Sequence, residues 1–83
     1  MEWHHIVEQC QASKSGFPIT WINNSNNVVS IPTEIHRQIS AYYSSIQDFT
    51  DGMIFRNWLI GMDFEEQFRW GVKVLEKFGV NFQ

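Results

Sequence analysis

The stretch that decides the fold is residues 27–39, NVVSIPTEIHRQI. It begins with a short run of β-formers that ends at Pro32, a residue excluded from helix interiors but suited to the first turn. Beyond the proline, Ile35 and Ile39 recur four positions apart, which is the spacing of one helical face. The stretch therefore predicts a strand followed directly by a helix, with His36 in the first helical turn.

Two adjacent histidines lie near the start of the chain, in residues 3–9, WHHIVEQ. The β-formers of residues 2–7 predict a strand, and the polar residues 8–16 predict a loop. Because neighbouring strand residues point to opposite faces, His4 and His5 suit two different tasks better than one shared metal. One can hold a cation while the other reaches a water, provided that the strand is twisted or bulged there.

Between the two strands, Pro18 is expected to stop helix formation, and the asparagine-rich residues 23–27 predict a turn. Beyond the first helix, residues 50–62, TDGMIFRNWLIGM, predict a second helix that ends at Gly61. Its expected inward side chains are Ile54, Phe55, Trp58, Leu59 and Met62.

The pair Asp63 and Glu66 forms a capping-box pattern that opens a third helix, which Gly79 closes. Its expected buried stripe is Phe64, Phe68, Val72 and Leu75.

Composition indicates one folded domain over residues 1–83, of the α+β class, with a core at about 2–45 and covering helices at about 50–80. The net charge of −3 gives no overall attraction to a polyanion. A single cysteine, Cys10, excludes an internal disulfide, and no apolar run reaches the roughly 18 residues of a membrane span. Any nucleic-acid contact would need a local basic patch, for which the candidates are Lys14, Arg37, Arg56 and Arg69.

The chain resembles the HNH nuclease motif, whose fold is the ββα-metal finger. The resemblance lies in the order of His4 and His5, then Asn27, then His36, with NVVSIP between. The opening WHHIVEQ, the body NNVVSIPTEIHRQISAYYSS and the tail FRNWLIGMDFEEQFRWGVKVLEKFG further resemble the WHH and AHH subgroup of that superfamily. The resemblance implies a ββα-metal core with two additional C-terminal helices.

The resemblance also implies roles. His4 and His36 would be the metal ligands, His5 the general base, and Asn27 the residue whose side chain ties the loop between the strands. One divalent ion, Mg²⁺, Mn²⁺ or Zn²⁺, would contact the scissile phosphate of DNA, and hydrolysis would leave a 5′-phosphate. Arg37 and Arg56 are the candidates for phosphate binding.

Related domains form the C-terminal tips of bacterial polymorphic toxins such as the Rhs type. The resemblance therefore implies a secreted effector that acts in the cytoplasm of a target bacterium, together with a cognate immunity protein. Met1 lies so close to the first strand that we expect the natural protein to continue upstream.

Several alternatives stay open at this stage. The same chemistry suits an RNase, and the histidines could instead hold a structural zinc in a binding module, although closed zinc sites usually have four protein ligands. Asn26 competes with Asn27 for the motif position. Some HNH nucleases have a further histidine where this chain has Ser40, and serine is a poor ligand for a borderline cation.

Two further questions concern side chains near the motif. Glu8 and Gln9 either orient an imidazole or are simply solvated. The aromatic side chains either stack on bases or, for most of them, belong to the core, as their helical spacing favours.

Overall fold

The computed structural model describes residues 1–81 and confirms a small α+β domain. Within that range it has one two-stranded antiparallel sheet, five α-helices and two short 3-10 turns. The strands are β1 (Glu2–His5) and β2 (Val28–Ile31), and the helices are α1 (Gln11–Lys14), α2 (Ile19–Ile22), α3 (Thr33–Tyr43), α4 (Phe55–Trp58) and α5 (Phe64–Lys77). None of the helices in residues 1–81 has the length and apolar character needed to cross a bilayer.

The two strands pair in regular register, with His4 opposite Val29 and His5 opposite Val28. The predicted first strand extended to Val7, but β1 ends at His5. Beyond it the chain stays attached to the start of β2, since the Ile6 N–H donates to the Asn27 carbonyl at 2.8 Å. The first strand is therefore shorter than its β-formers suggested.

The connection between the strands is more helical than the sequence indicated. Helix α1 lies inside the predicted polar loop, and α2 follows Pro18 directly. The prediction that Pro18 prevents a helix was wrong: its φ of −58° suits a helix start, where a missing N–H costs nothing. The predicted asparagine turn forms as a 3-10 turn at Ser25–Asn27.

Helix α3 begins one residue after Pro32, as predicted, and has Glu34 in its first turn. Its inward face carries the buried residues Ile39 and Tyr43. The domain core joins this face to β2 and to the covering helices through Ile6, Ile31, Ile39, Tyr43, Phe55, Leu59, Val74 and Leu75.

The predicted second helix is reduced to the single turn α4. Asp51 and Gly52 both have positive φ, 55° and 83°, so no helix can run through them. Ile54 was expected to point inward but is 40% exposed, because it precedes the helix and pairs in an isolated bridge with Ile46.

Helix α5 starts as predicted, with the Asp63 side chain accepting from the Glu66 N–H at 2.8 Å. Its buried face differs from the predicted stripe. Fully buried positions are Gln67, Gly71, Val74 and Leu75, whereas Phe64, Phe68 and Val72 are only partly buried. The helix is thus rotated so that a glycine and an amide face the rest of the domain.

Candidate functional site

The structure brings His4 and His36 together from two elements. His4 is on β1 and only 5% exposed, and His36 is in the first turn of α3. Their ring centres are 5.6 Å apart and the ring planes cross at 75°. This approach follows from the hairpin register and from Pro32, which turns the chain from β2 directly into the helix.

The two imidazoles fit a shared metal ion. The His4 Nε2 atom is buried and has no hydrogen-bond partner among residues 1–81, an arrangement that a buried polar atom rarely tolerates. Two imidazoles that bind one ion at about 2.0–2.1 Å have ring centres roughly 5–6.5 Å apart. The observed separation lies in that range.

Electrostatics keep His4 in the form that a metal needs. Burial lowers the pKa of His4 to about 4, with smaller effects from charge on His36 and on His5. Its ring is therefore neutral near pH 7, and a neutral imidazole is the form that binds metals.

His5 lines the same cleft as His4 and His36, a depression of about 490 Å³. His5 is partly buried. It is the last residue of β1 and directly follows His4 in the chain. The structure thus gathers all three histidines at one surface.

Asn27 is 1% exposed and ties together the chain around the cleft. Its Oδ1 accepts from the Val7 N–H at 2.8 Å, and its Nδ2 donates to the carbonyls of Val7 at 3.1 Å and Ile22 at 2.9 Å. The rival Asn26 is exposed, and its backbone N–H donates to the Asn24 side chain. Asn27 is therefore the asparagine that holds the loop after His5.

Arg56 and Glu8 form a bidentate ion pair at the cleft. The guanidinium Nε and Nη2 each donate to a different carboxylate oxygen at 2.8 Å, and Nη1 donates to the Ser44 hydroxyl at 3.0 Å. Glu8 was expected either to orient an imidazole or to be solvated. It does neither, because both of its carboxylate oxygens accept hydrogen bonds from Arg56. Gln9 is exposed at the cleft edge.

The other basic candidates lie elsewhere. Arg37 is exposed and pairs with Glu34 at 3.1 Å, and Arg69 pairs with Glu65 at 3.0 Å. Among the described residues that line the cleft, Arg56 is the only arginine or lysine.

Ser40 and Cys10 also line the cleft. Burial, followed by the charge of Glu8, raises the pKa of the Cys10 thiol, which opposes a thiolate role. Within residues 1–81 no group of three or more His, Cys, Asp or Glu side chains is arranged to hold a metal. A metal at this cleft would therefore have two histidine ligands and open positions.

Sequence reasoning missed Glu2, whose Oε1 lies 3.2 Å from His36 Nδ1. The sequence does indicate that Glu2 and His4 share one face of the strand, because they are two positions apart. That Glu2 contacts His36 could not be predicted without knowing that α3 lies over this face.

Comparison with known proteins adds no relative: the chain matches no protein-family model, no curated protein and no solved structure. Function is therefore inferred from the histidine cleft itself and from the sequence pattern of the residues within it.

Proposed function

We propose that this domain is a metal-dependent endonuclease with a ββα-metal core that hydrolyses phosphodiester bonds of DNA. The observation that carries the proposal is the pair His4 and His36, 5.6 Å apart with an unpartnered His4 Nε2 among residues 1–81, beside a third histidine in one cleft. A donor set that leaves coordination positions open is typical of catalytic rather than structural metal sites.

His4 and His36 would hold one divalent cation, Mg²⁺, Mn²⁺ or Zn²⁺. When bound, such an ion supplies Lewis-acid stabilisation of the charge that develops on the phosphate and on the leaving oxygen. The low pKa of His4 keeps this ligand unprotonated well below neutrality.

His5 is the proposed general base. It would accept the proton of the attacking water, a task for which a ring nitrogen must lie within hydrogen-bond reach of that water. Its place at the end of β1, beside His4 in the chain and in the same cleft, supports this role.

Asn27 positions the base and does not take part in the chemistry. Its three hydrogen bonds hold Val7 and Ile22, so the chain leaving His5 has little freedom to move. Positioning of this kind matters because small displacements of a catalytic group cost large factors in rate.

Arg56 would contact a phosphate next to the scissile one. Glu8 and Ser44 use three of its five N–H donors, which leaves two for a phosphate at the cleft. Arg37, held by Glu34 outside the cleft lining, remains a candidate only for a more distant phosphate of a long duplex.

The substrate class is tested with the purified domain. Supercoiled plasmid and total RNA are each incubated with Mg²⁺, Mn²⁺ or Zn²⁺ and with a chelator. We expect nicking and linearisation of the plasmid that the chelator abolishes. Loss of RNA with intact plasmid would show that the domain is an RNase instead.

Substitution of His5 separates an enzyme from a metal-stabilised binding module. His5→Ala is expected to abolish cleavage while the fold and metal affinity persist. If His5→Ala instead unfolds the domain in the way that metal removal does, the histidines hold a structural ion. Arg69→Ala is the matched surface control and should cleave normally, whereas Arg56→Ala should raise KM.

The resemblance to toxin-tip nucleases supports action inside a target bacterium and neutralisation by a cognate immunity protein. Expression of the domain in a bacterial cytoplasm should then damage the chromosome, and His5→Ala should be harmless.

A further inference from the structure

The Glu2 carboxylate lies beside His36, one of the three histidines of the cleft. Glu2 is the first residue of β1 and is two positions from His4, so both side chains project from one face of the strand. His36 stands over this face. Its Nδ1 is 3.2 Å from the Glu2 Oε1, and its ring centre is 5.6 Å from that of His4.

We propose that Glu2 is a positioning residue that holds the proton of neutral His36 on Nδ1 and thereby reserves Nε2 for the metal. The proposal rests on the proposed function, because it concerns the same cleft. A neutral imidazole has one N–H and one lone pair, and the group that accepts the N–H decides which nitrogen keeps the lone pair. A carboxylate 3.2 Å from Nδ1 is within reach of a hydrogen bond from that nitrogen.

The arrangement complements that of His4. His4 is held by burial inside the sheet and helix packing, whereas the His36 side chain is 30% exposed and has no comparable enclosure. A partner on Nδ1 therefore restricts the orientation of the His36 ring, as packing does for His4, and it also selects one tautomer. Carboxylate partners of metal-binding histidines typically contribute 10–100-fold to metal affinity.

The chain contains a matched control in Glu34. It is a carboxylate in the first turn of α3, two positions before His36 in the chain, and it pairs with Arg37. Removing Glu34 changes the net charge by the same amount as removing Glu2. Any difference between the two variants therefore reports the contact with His36 and not the general field of the surface.

The test measures Zn²⁺ affinity by calorimetry for the wild-type chain and for Glu2→Ala, Glu2→Gln and Glu34→Ala. We expect Glu2→Ala to weaken Zn²⁺ binding about 10–100-fold and Glu34→Ala to leave it within about twofold. Glu2→Gln keeps an oxygen acceptor and should lose less than Glu2→Ala. Equal losses for the two Glu2 variants would mean that charge alone attracts the ion and would overturn the positioning role.

A second readout needs no metal. Long-range ¹H–¹⁵N NMR spectra of the metal-free protein report which nitrogen of His36 carries the proton. We expect a single Nδ1-protonated form in the wild type and in Glu34→Ala, and a mixture in Glu2→Ala. A wild-type His36 protonated on Nε2 would refute the proposal.

The two proposals fail in different ways. If His4→Ala and His36→Ala bind Zn²⁺ as the wild type does, the metal site itself is wrong. If those two variants lose Zn²⁺ while Glu2→Ala retains it, only the role of Glu2 is wrong.

Discussion

The histidine-bearing part of the domain, residues 2–43, and the covering part, residues 46–80, are held together by different forces. In the first, the single side chain of Asn27 makes three hydrogen bonds to the backbone of Val7 and Ile22. In the second, aromatic side chains pack together: the ring centres of Phe49, Trp58 and Trp70 lie 5.9–6.1 Å from that of Phe55.

The directional contacts lie where the position of a side chain must be precise. A hydrogen bond has a direction and fixes the orientation of the group it holds, whereas apolar packing fills a volume and tolerates repacking. The chain that follows His5 is fixed by directional contacts. The covering part contributes Phe55, Leu59, Val74 and Leu75 to the shared apolar core, and of its described residues only Arg56 lines the cleft.

Phe55→Ala should have the largest effect on stability and should leave the chemistry intact. Phe55 is fully buried, and truncation of such a side chain costs about 3–5 kcal/mol. We expect the urea midpoint to fall sharply while cleavage per folded molecule stays near the wild-type value. Ile54→Ala is the control, since Ile54 is exposed and surface changes usually stay within about 0.5 kcal/mol. A loss of cleavage per folded molecule in Phe55→Ala would contradict the view that the covering part supports the fold without affecting the chemistry.

Asn27→Ala should cost somewhat less stability but should also reduce activity. It leaves the Val7 N–H and two buried carbonyls without their partner, each at about 1–3 kcal/mol, so the total is about 3 kcal/mol or more before relaxation. The neighbouring Asn26→Ala should be nearly neutral because Asn26 is exposed.

The measurement for both asparagine variants is the rate of plasmid cleavage at a temperature where each is folded, together with urea unfolding. If Asn27→Ala lowers stability but not the rate, the asparagine supports the fold and has no influence on His5.

The strand and helix around the histidines could be predicted because their signals are local. The β-formers before Pro32 and the four-residue spacing of Ile35 and Ile39 describe β2 and α3 without reference to other parts of the chain. The approach of His4 to His36 follows once β1 pairs with β2 and Pro32 turns the chain from β2 into α3.

The covering part was harder to predict because the buried face of α5 includes two residues that are not hydrophobic. The buried amide of Gln67 donates to the carbonyls of Leu59 and Met62, and it faces the interior beside Gly71. Neither residue type contributes to a hydrophobic stripe, so periodicity placed the inward face about one position away. The ion pair of Arg56 with Glu8 joins residues 48 apart and had no local signal.

Gly71→Ala tests the contact between the two parts directly. A Cβ at this position would lie 2.4 Å from the Ile6 carbonyl oxygen and 2.7 Å from the Ile6 Cγ2, so the chain just after His5 must move. Alanine is more favourable than glycine within a helix by up to about 1 kcal/mol, and this gain does not offset the cost of moving the chain. We expect a net loss of about 2–3 kcal/mol and slower cleavage. Gly79→Ala has open space around its Cβ but a positive φ, so a loss of stability there would report backbone strain, which does not arise at Gly71 within α5.

A pH dependence of stability from His4 should be the smallest effect. The pKa of His4 is about 4 in the folded domain, mainly because of burial, against 6.5 in an unfolded chain. Below pH 6.5 the unfolded chain therefore binds a proton here that the folded chain does not, and stability falls until the pH reaches about 4. Between about pH 7 and about pH 5 the loss is about 2 kcal/mol, at roughly 1.4 kcal/mol per pH unit over the titrating range.

The experiment compares urea unfolding of the wild type and of His4→Gln across this range, with a chelator present so that metal binding does not contribute. All other titrating groups are common to both proteins, so the difference between the two curves isolates His4. The wild type should lose stability more steeply than His4→Gln below pH 6.5. Parallel curves would mean that His4 binds a proton equally well in the folded and the unfolded chain. Such a result would remove the electrostatic argument for a neutral ligand at this position while leaving the distance between the two rings unchanged.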